Sequence, residues 1–525
     1  MDSFEMISEI KDRLGFQQVD IKENYPDEIS IKVSREDFRR TCWRLHEFLD
    51  SPVMMLFAED ERGKSGGFVI RCVFLSVKYK KWILAGIDVP ADHPGFDSLA
   101  KDIHSAGLFE REIWEMFGLE PKGHPDLRRL RLHDEVWPQG NYPLRKDFKK
   151  MQAGALREYP LSRVDGAGVF EIPVGPVHAG IIGPGHFHFS VAGEPIINLE
   201  IRLGFTHRGV EKILEGRACP EAVRFSECVS GDASFAHSLA FVRAAEKIAK
   251  ISVPRQADYL RGIFLELERM YNHVNDMGGI ALDVGFSFPA AFASIIKEAI
   301  LRLNENLSGS RYLKGVNLVG GVSQNVPEEK RKFILESLKG IKKDFSELVK
   351  ILYSSVSFLD RVDATGILRK KTARDLGVIG LAGRASGVHL DLRECFPGGY
   401  QEAGFRMMTR ESGDILARLQ LRVVEFEESS RLVEEFAKRL VAGEAVNVLP
   451  RPAAAGSALG YAEGWRGPVL YWLKTDERGL IERCKIVDAS FSNWQGLSYS
   501  VLGEIVPDFP VCNKSFDLSY PGNDL

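Results

Sequence analysis

The sequence predicts an α+β protein: a small N-terminal α/β module, then a larger domain with a long helix-bundle core and small peripheral sheets. Two observations carry this. Residues 1–150 mix short β-branched runs with two amphipathic helices, whereas residues 169–525 hold four much longer amphipathic stretches. At 525 residues, the chain has room for roughly three domains of about 150 residues, or two with one of them large.

In the first part, EISIKVS (28–34), GGFVIRCVFLSV (66–77) and WILAGIDVP (82–90) cluster apolar residues as strands do. Residues 36–51 and 104–119 read as helices, the second with an aromatic stripe. The basic, proline-dotted stretch 120–148 is too irregular for a helix and is expected to be an extended surface segment, with its tract His124, Arg128, Arg129 and Arg131 at subunit contacts. Residues 151–168 read as a linker. A glycine-rich, β-branched stretch (170–204) then opens a small sheet. Residues 254–276, 292–307, 327–356 and 411–441 each place apolar residues on one helical face, and four such helices argue for a bundle. The tail from 456 returns to short strands and turns, with a hairpin around Asp476–Gly479.

Composition removes several classes. With 44% hydrophobic and 27% charged residues the chain is globular, and a net charge of −4 gives no footprint for nucleic acid. No run approaches the roughly 18 apolar residues of a spanning helix, and the acidic N-terminus is wrong for a secretory signal. Seven scattered cysteines, none spaced C-x-x-C, fit a reducing compartment and supply neither a zinc knuckle nor an iron–sulfur loop. Phosphate-binding glycine motifs are absent too. His186 and His188 alternate on one strand face, as two metal ligands would, but no third ligand accompanies them and partly buried histidines are the better reading. Glu211, Glu227, Asp232 and His237 gather where a helical pattern begins. They read either as a buried proton-handling cluster or as a capped helix entrance with solvated charges; a competing view of the three acids has them held by arginines such as Arg208 and Arg224 in structural ion pairs.

Several motifs resemble a known family. EREIWEMFGLEPKGHPDLRRLRL…YPLRKDF (110–148) is similar to the C-type subunit of the proton-pumping NADH–quinone oxidoreductase, complex I. GPVHAG (175–180), LGFTHRGVEKILEGR (203–217), LGVIGLAGRASGVHLDLR (376–393) and IVDASFSNWQGL…IVPDFPVCNKSFDLSY (486–520) resemble the large subunit of energy-converting [NiFe]-hydrogenases, a relative of the D-type subunit of complex I. The order is that of fused C/D-type large subunits such as the one in formate hydrogenlyase. Such hydrogenases hold nickel and iron with two cysteine pairs. Registered on FAHS (235–238) and SFD (515–517), those pairs fall at Ser230 and Ala233, and at Ser519 and Gly522. All four thiolates are missing, and Cys228 and Cys512 lie off the slots. The D-type subunit of complex I uses the vacated cavity for quinone, held by a histidine and a tyrosine, where this chain has Ile182 and Glu227.

The resemblance implies four site residues. His178 is the surviving histidine of the glycine-rich loop, and Glu211 stands where hydrogenases keep a proton-passing acid. Glu227 replaces the tyrosine, and Asp232 lies between two lost ligand slots. It also implies a large subunit in a complex that couples electron transfer to ion movement, peripheral on the cytoplasmic side of the inner (plasma) membrane. The chain itself would bind no cofactor. A partner resembling the B-type iron–sulfur subunit of complex I would carry a cluster facing a cavity lined by 175–185, 227–237 and 515–522. Antiporter-like membrane subunits would complete the complex, and quinone is a possible acceptor. The alternative is a non-catalytic scaffold and coupling role.

Overall fold

The computed structural model describes residues 3–14, 20–180, 182–395, 398–440 and 455–525. The N-terminal module has helix α1 (Ser3–Leu14), then strands β1 (Asp20–Tyr25) and β2 (Glu28–Lys32), α2 (Phe38–Leu49), and β3 (Met55–Glu61), β4 (Gly67–Ser76) and β5 (Lys81–Pro90). Its sheet runs β1-β2-β5-β4-β3, antiparallel except where β2 meets β5. β6 (Gly95–Asp97), α3 (Gly107–Phe117) and β7 (Glu120–Lys122) complete it. Residues 151–166 form no helix or strand and are mostly exposed.

β8 (Val169–Val174), β9 (His186–Ala192) and β10 (Ile196–Arg202) form the small sheet expected next. Helices α4 (Val210–Leu214), α5 (Cys219–Ser226) and α6 (Ser234–Ala249) follow, then α7 (Arg255–Asp283), α8 (Ser287–Ser308), the short β11 (Asn317–Leu318) and β12 (Gly321–Val322), and α9 (Glu328–Ser354). Five short helices, α10 (Val356–Val362), α11 (Lys370–Leu376), α12 (Gly380–Ala385), α13 (Leu392–Cys395) and α14 (Gly399–Glu402), lead to α15 (Ile415–Arg439). The four long helices do form a bundle: α7 packs on α8 and α15, and α9 closes the square against both. Phe345 of α9 stacks on Phe426 of α15 at 3.6 Å.

The tail differs from its reading. β13 (Gly456–Glu463), β14 (Pro468–Thr475) and β15 (Ile481–Val487) are the strands expected, with the β14–β15 turn at Asp476–Gly479. Beyond them the chain is helical: α16 (Ser490–Ser500), α17 (Phe509–Phe516) and α18 (Tyr520–Asp524). Serine, asparagine and glycine in α16 are poor helix formers, so its form is set by burial of Phe491, Trp494 and Leu497.

The N-terminal module shares a hydrophobic cluster with β13–β15 and α16 of the larger domain, while the helix bundle has a core of its own. Phe57 packs on Trp472 at 4.7 Å, Trp82 on Tyr461 at 5.4 Å and Phe109 on Phe491 at 4.8 Å. The 120–148 stretch, expected on the surface, runs through this seam. Arg129 and Arg131 are buried, and Arg131 donates to Glu112 (2.8 Å) and to the Asn523 carbonyl (2.6 Å). Glu115 accepts backbone N–H groups of Leu130, Arg131 and Leu132. Two inward-facing carboxylates on α3 thus hold the irregular stretch inside, and His124 bonds the Gly107 carbonyl. Arg128 of that tract reaches across to β10, where it pairs with Glu200.

Candidate functional site

The turn between α5 and α6 meets the C-terminus at the centre of the larger domain. There the Ser230 and Ser519 hydroxyls lie 2.7 Å apart, although 289 positions separate them in sequence. The hydrogen bonds run in one direction. The Gly522 N–H donates to Ser519 Oγ (2.9 Å), the Ser519 hydroxyl to Ser230, and the Ser230 hydroxyl to Asp232 Oδ1 (2.7 Å). Arg466 donates to the same carboxylate from both terminal nitrogens, Nη1 to Oδ1 at 2.9 Å and Nη2 to Oδ2 at 2.6 Å. Its guanidinium lies over the Trp465 ring at 3.9 Å, and its Nε donates to the Asp517 carbonyl.

The scaffold for this arrangement is tight. The Asp232 carbonyl accepts from Asn272 (2.7 Å), Tyr271 (3.1 Å) and Trp465 (3.3 Å). Arg466 sits on a turn where Gly467 has φ +143°, and a Cβ there would come within 2.8 Å of Gly380. His237, fully buried, bridges Asp488 and the Tyr471 hydroxyl at 3.0 Å each. Burial works to raise the Asp488 pKa, but His237 and Arg466 hold it down at about 2. Desolvation opposes ionisation of Asp232 even though its side chain is partly exposed, and Arg466 with Ser230 keeps its pKa below the usual carboxylate range.

The expected ligand slots offer two hydroxyls, the Ala233 methyl and no side chain at Gly522. Both hydroxyls are already bonded. A Cβ at 522 would meet Ser519 Oγ at 2.9 Å and the Asp488 carboxyl at 3.0 Å, so the space of a cysteine is taken. Among the described residues, no group of three or more histidine, cysteine or acidic side chains is placed to hold a metal. A nickel–iron centre, which needs soft thiolates, does not fit these residues.

The remaining candidates lie apart from this network. Glu211 is buried between Arg483 (2.6 Å) and Lys485 (3.3 Å) and accepts the Ile486 N–H. Burial would raise its pKa, but the two cations push it down to about 2. Lys485 also bonds Glu112, so this acid is tied to the N-terminal module. Glu227 is buried and takes the Gly315 N–H at 2.6 Å; burial raises its pKa despite that bond and the charges of Lys314 and Arg224. Of the two arginines expected beside the acids, Arg224 lends its charge to Glu227, whereas Arg208 donates to the Cys228 and Val229 carbonyls instead. His178 bonds the Gly185 carbonyl at 2.9 Å. His186 bonds the Gly175 carbonyl and His188 bonds Glu171. Ile182 is half exposed. Arg466, Trp465 and Asp488 were not singled out from sequence, although IVDAS (486–490) and the glycine-flanked Arg466 turn were signals for them.

Residues 31–153 match the model of the respiratory-chain NADH dehydrogenase 30 Kd subunit, 283–453 that of the 49 Kd subunit, and 208–276 that of the nickel-dependent hydrogenases. Formate hydrogenlyase subunit 5 of Escherichia coli is 32% identical over 489 residues, covering 90% of this chain and 84% of that protein. The chain belongs to the family of large subunits shared by complex I and the membrane-bound hydrogenases. Hydrogenase-4 component G of Escherichia coli is 30% identical across 99% of the chain and 92% of its own length. The D-type subunit of the Clostridium beijerinckii NADH-quinone oxidoreductase is 30% identical over 65% of the chain and 94% of its own. These family members are oxidoreductase subunits. In fold the chain resembles a chain of the membrane-bound sulfane sulfur reductase, an archaeal respiratory membrane complex, with TM-score 0.64, 22% identity and coverage of 68% and 99%. No helix among the described residues is long and apolar enough to cross a membrane.

Proposed function

We propose that the chain is the large subunit of a redox complex, peripheral on the cytoplasmic side of the inner membrane, whose central site works without nickel and iron. Electrons come from the cluster of an iron–sulfur partner resembling the B-type subunit of complex I. Two electrons and two protons reduce a quinone or another small acceptor, and antiporter-like membrane subunits couple the step to ion movement. Glu227 is the proton donor, a buried acid on the turn that carries Ser230 and Asp232. Glu211, clamped by Arg483 and Lys485, fixes charge and position.

The observation that supports this reading best is the hydrogen-bonded line from Gly522 through Ser519 and Ser230 to Asp232 and Arg466. It joins the two segments that correspond to the metal-holding segments of hydrogenases and puts hydrogen bonding in place of ligation. One observation favours the second reading, a scaffold role: Asp232 itself occupies the Arg466 guanidinium. Assay of the purified complex separates the two. With a low-potential electron donor, it is expected to reduce a quinone analogue or another small acceptor and to evolve no hydrogen. An intact complex that reduces no acceptor of any class contradicts the catalytic reading.

A further inference from the structure

Asp232 differs from every other group in the central network. Its side chain is 40% exposed, whereas that of its partner Arg466 is 7% exposed. Its backbone, by contrast, is pinned by three donors on the carbonyl. Rotation of the side chain towards solvent therefore needs no movement of the turn. What such rotation leaves behind is a set of donors aimed at one point: Nη1 and Nη2 of Arg466, and the Ser230 hydroxyl at the end of its directed line. The guanidinium is held flat by the Trp465 ring and by the Asp517 carbonyl.

We propose that this is a carboxylate-binding seat, occupied in the resting protein by the chain's own Asp232, and that an external small-molecule carboxylate displaces Asp232 to bind there. The seat rests on the metal-free reading of the site. A buried guanidinium cannot be left alone, because an unpaired buried charge is strongly destabilising. The occupant must therefore be an anion. The two parallel N–H groups select a planar edge with two acceptor oxygens, which a carboxylate presents and a halide does not. The hydroxyl of Ser230 adds a third bond on one of those oxygens, as it does now for Asp232 Oδ1. Displacement exchanges one carboxylate for another and changes no bond order or oxidation state. Because Asp232 is tethered beside the seat, it competes at a high effective concentration and weakens binding of any external carboxylate in proportion to its occupancy.

The test is calorimetric titration of sodium acetate into the purified complex, with sodium chloride at equal ionic strength as control. Removing the tethered competitor by Asp232→Ala is expected to tighten acetate binding by about tenfold or more, following the occupancy relation. Acetate, unlike chloride, is also expected to raise the melting temperature of that variant. Arg466→Gln in the same background is expected to abolish both effects. Equal acetate affinity in wild type and Asp232→Ala, or no acetate binding to the assembled variant, overturns the proposal. Should Asp232→Ala not assemble, Asp232→Asn, which keeps shape but not charge, replaces it with the same expectation and the same overturning result. Failure of both to assemble in acetate-containing medium also counts against the seat, since external carboxylate then cannot substitute for Asp232. The titration needs no turnover, so nickel in the complex would defeat the functional reading while leaving this result readable.

Discussion

Arg384→Met is expected to destabilise the chain by about 3–5 kcal/mol, the range for breaking a buried ion pair. Arg384 is fully buried at the junction of α12, α15 and β13 and pairs with Glu425 (2.8 Å), Glu463 (2.8 Å) and Asp391 (3.3 Å). The same acids have further partners: Glu425 meets Arg269 at 3.7 Å and His273 at 3.0 Å, and Asp391 meets Arg393, which reaches Glu266 on α7. Burial opposes protonation of His273 and pushes its pKa down to about 4, so the histidine does not replace the lost cation. Methionine fills the volume but leaves three carboxylates short of a partner. Soluble yield and the melting temperature of the purified complex measure the effect. A variant that melts with the wild type would show that this network carries no stability.

Glu227→Gln is expected to lower turnover by roughly 100- to 10,000-fold, the usual worth of a positioned general acid. The amide retains an oxygen for the Gly315 N–H, so the turn is preserved. What it lacks is the proton. Burial raises the pKa of Glu227 in the folded chain, so the acid keeps its proton to higher pH than a free glutamate does. Turnover of the wild type should fall as pH rises through that raised pKa, and the residual rate of the variant should lack this limb. The stability sign follows from the same shift: burial favours the protonated form, so the contribution is present below the unfolded pKa and is lost as pH rises through the folded one. A variant with wild-type turnover and an unchanged pH profile would remove Glu227 from the mechanism.

Periodicity made the architecture legible where burial is one-sided. The four bundle helices follow their apolar faces, and the β14–β15 hairpin follows its aspartate and glycine. It failed where tertiary contacts overrule local pattern. β3 (Met55–Glu61) carries Glu59 and Asp60 into the interior, a poor strand signal until Arg71, Lys474 and Arg62 pair them. The arginines of 128–131 resemble a solvated tract until Glu112 of α3 takes the Arg131 guanidinium, Glu115 takes the Leu130 N–H, and Glu200 and Asp134 pair with Arg128 and Arg129. At the site, the motifs located Ser230, Asp232 and Ser519. The residue that organises them, Arg466, lies 234 positions from Asp232, and no local pattern announces that pairing. The ion pairs of Glu211 were hidden for the same reason, since Arg483 and Lys485 come from a strand more than two hundred residues away.

On the proposed reading, in the register set by FAHS (235–238) and SFD (515–517), hydroxyls and an aspartate–arginine pair stand where hydrogenases would hold metal. The most direct measurement of this is elemental analysis of the purified, intact complex for nickel, per copy of this chain. No nickel above background is expected, because Ser230, Ala233, Ser519 and Gly522 provide no thiolate and the space at 522 is already filled. One nickel per chain, retained through purification, would contradict it.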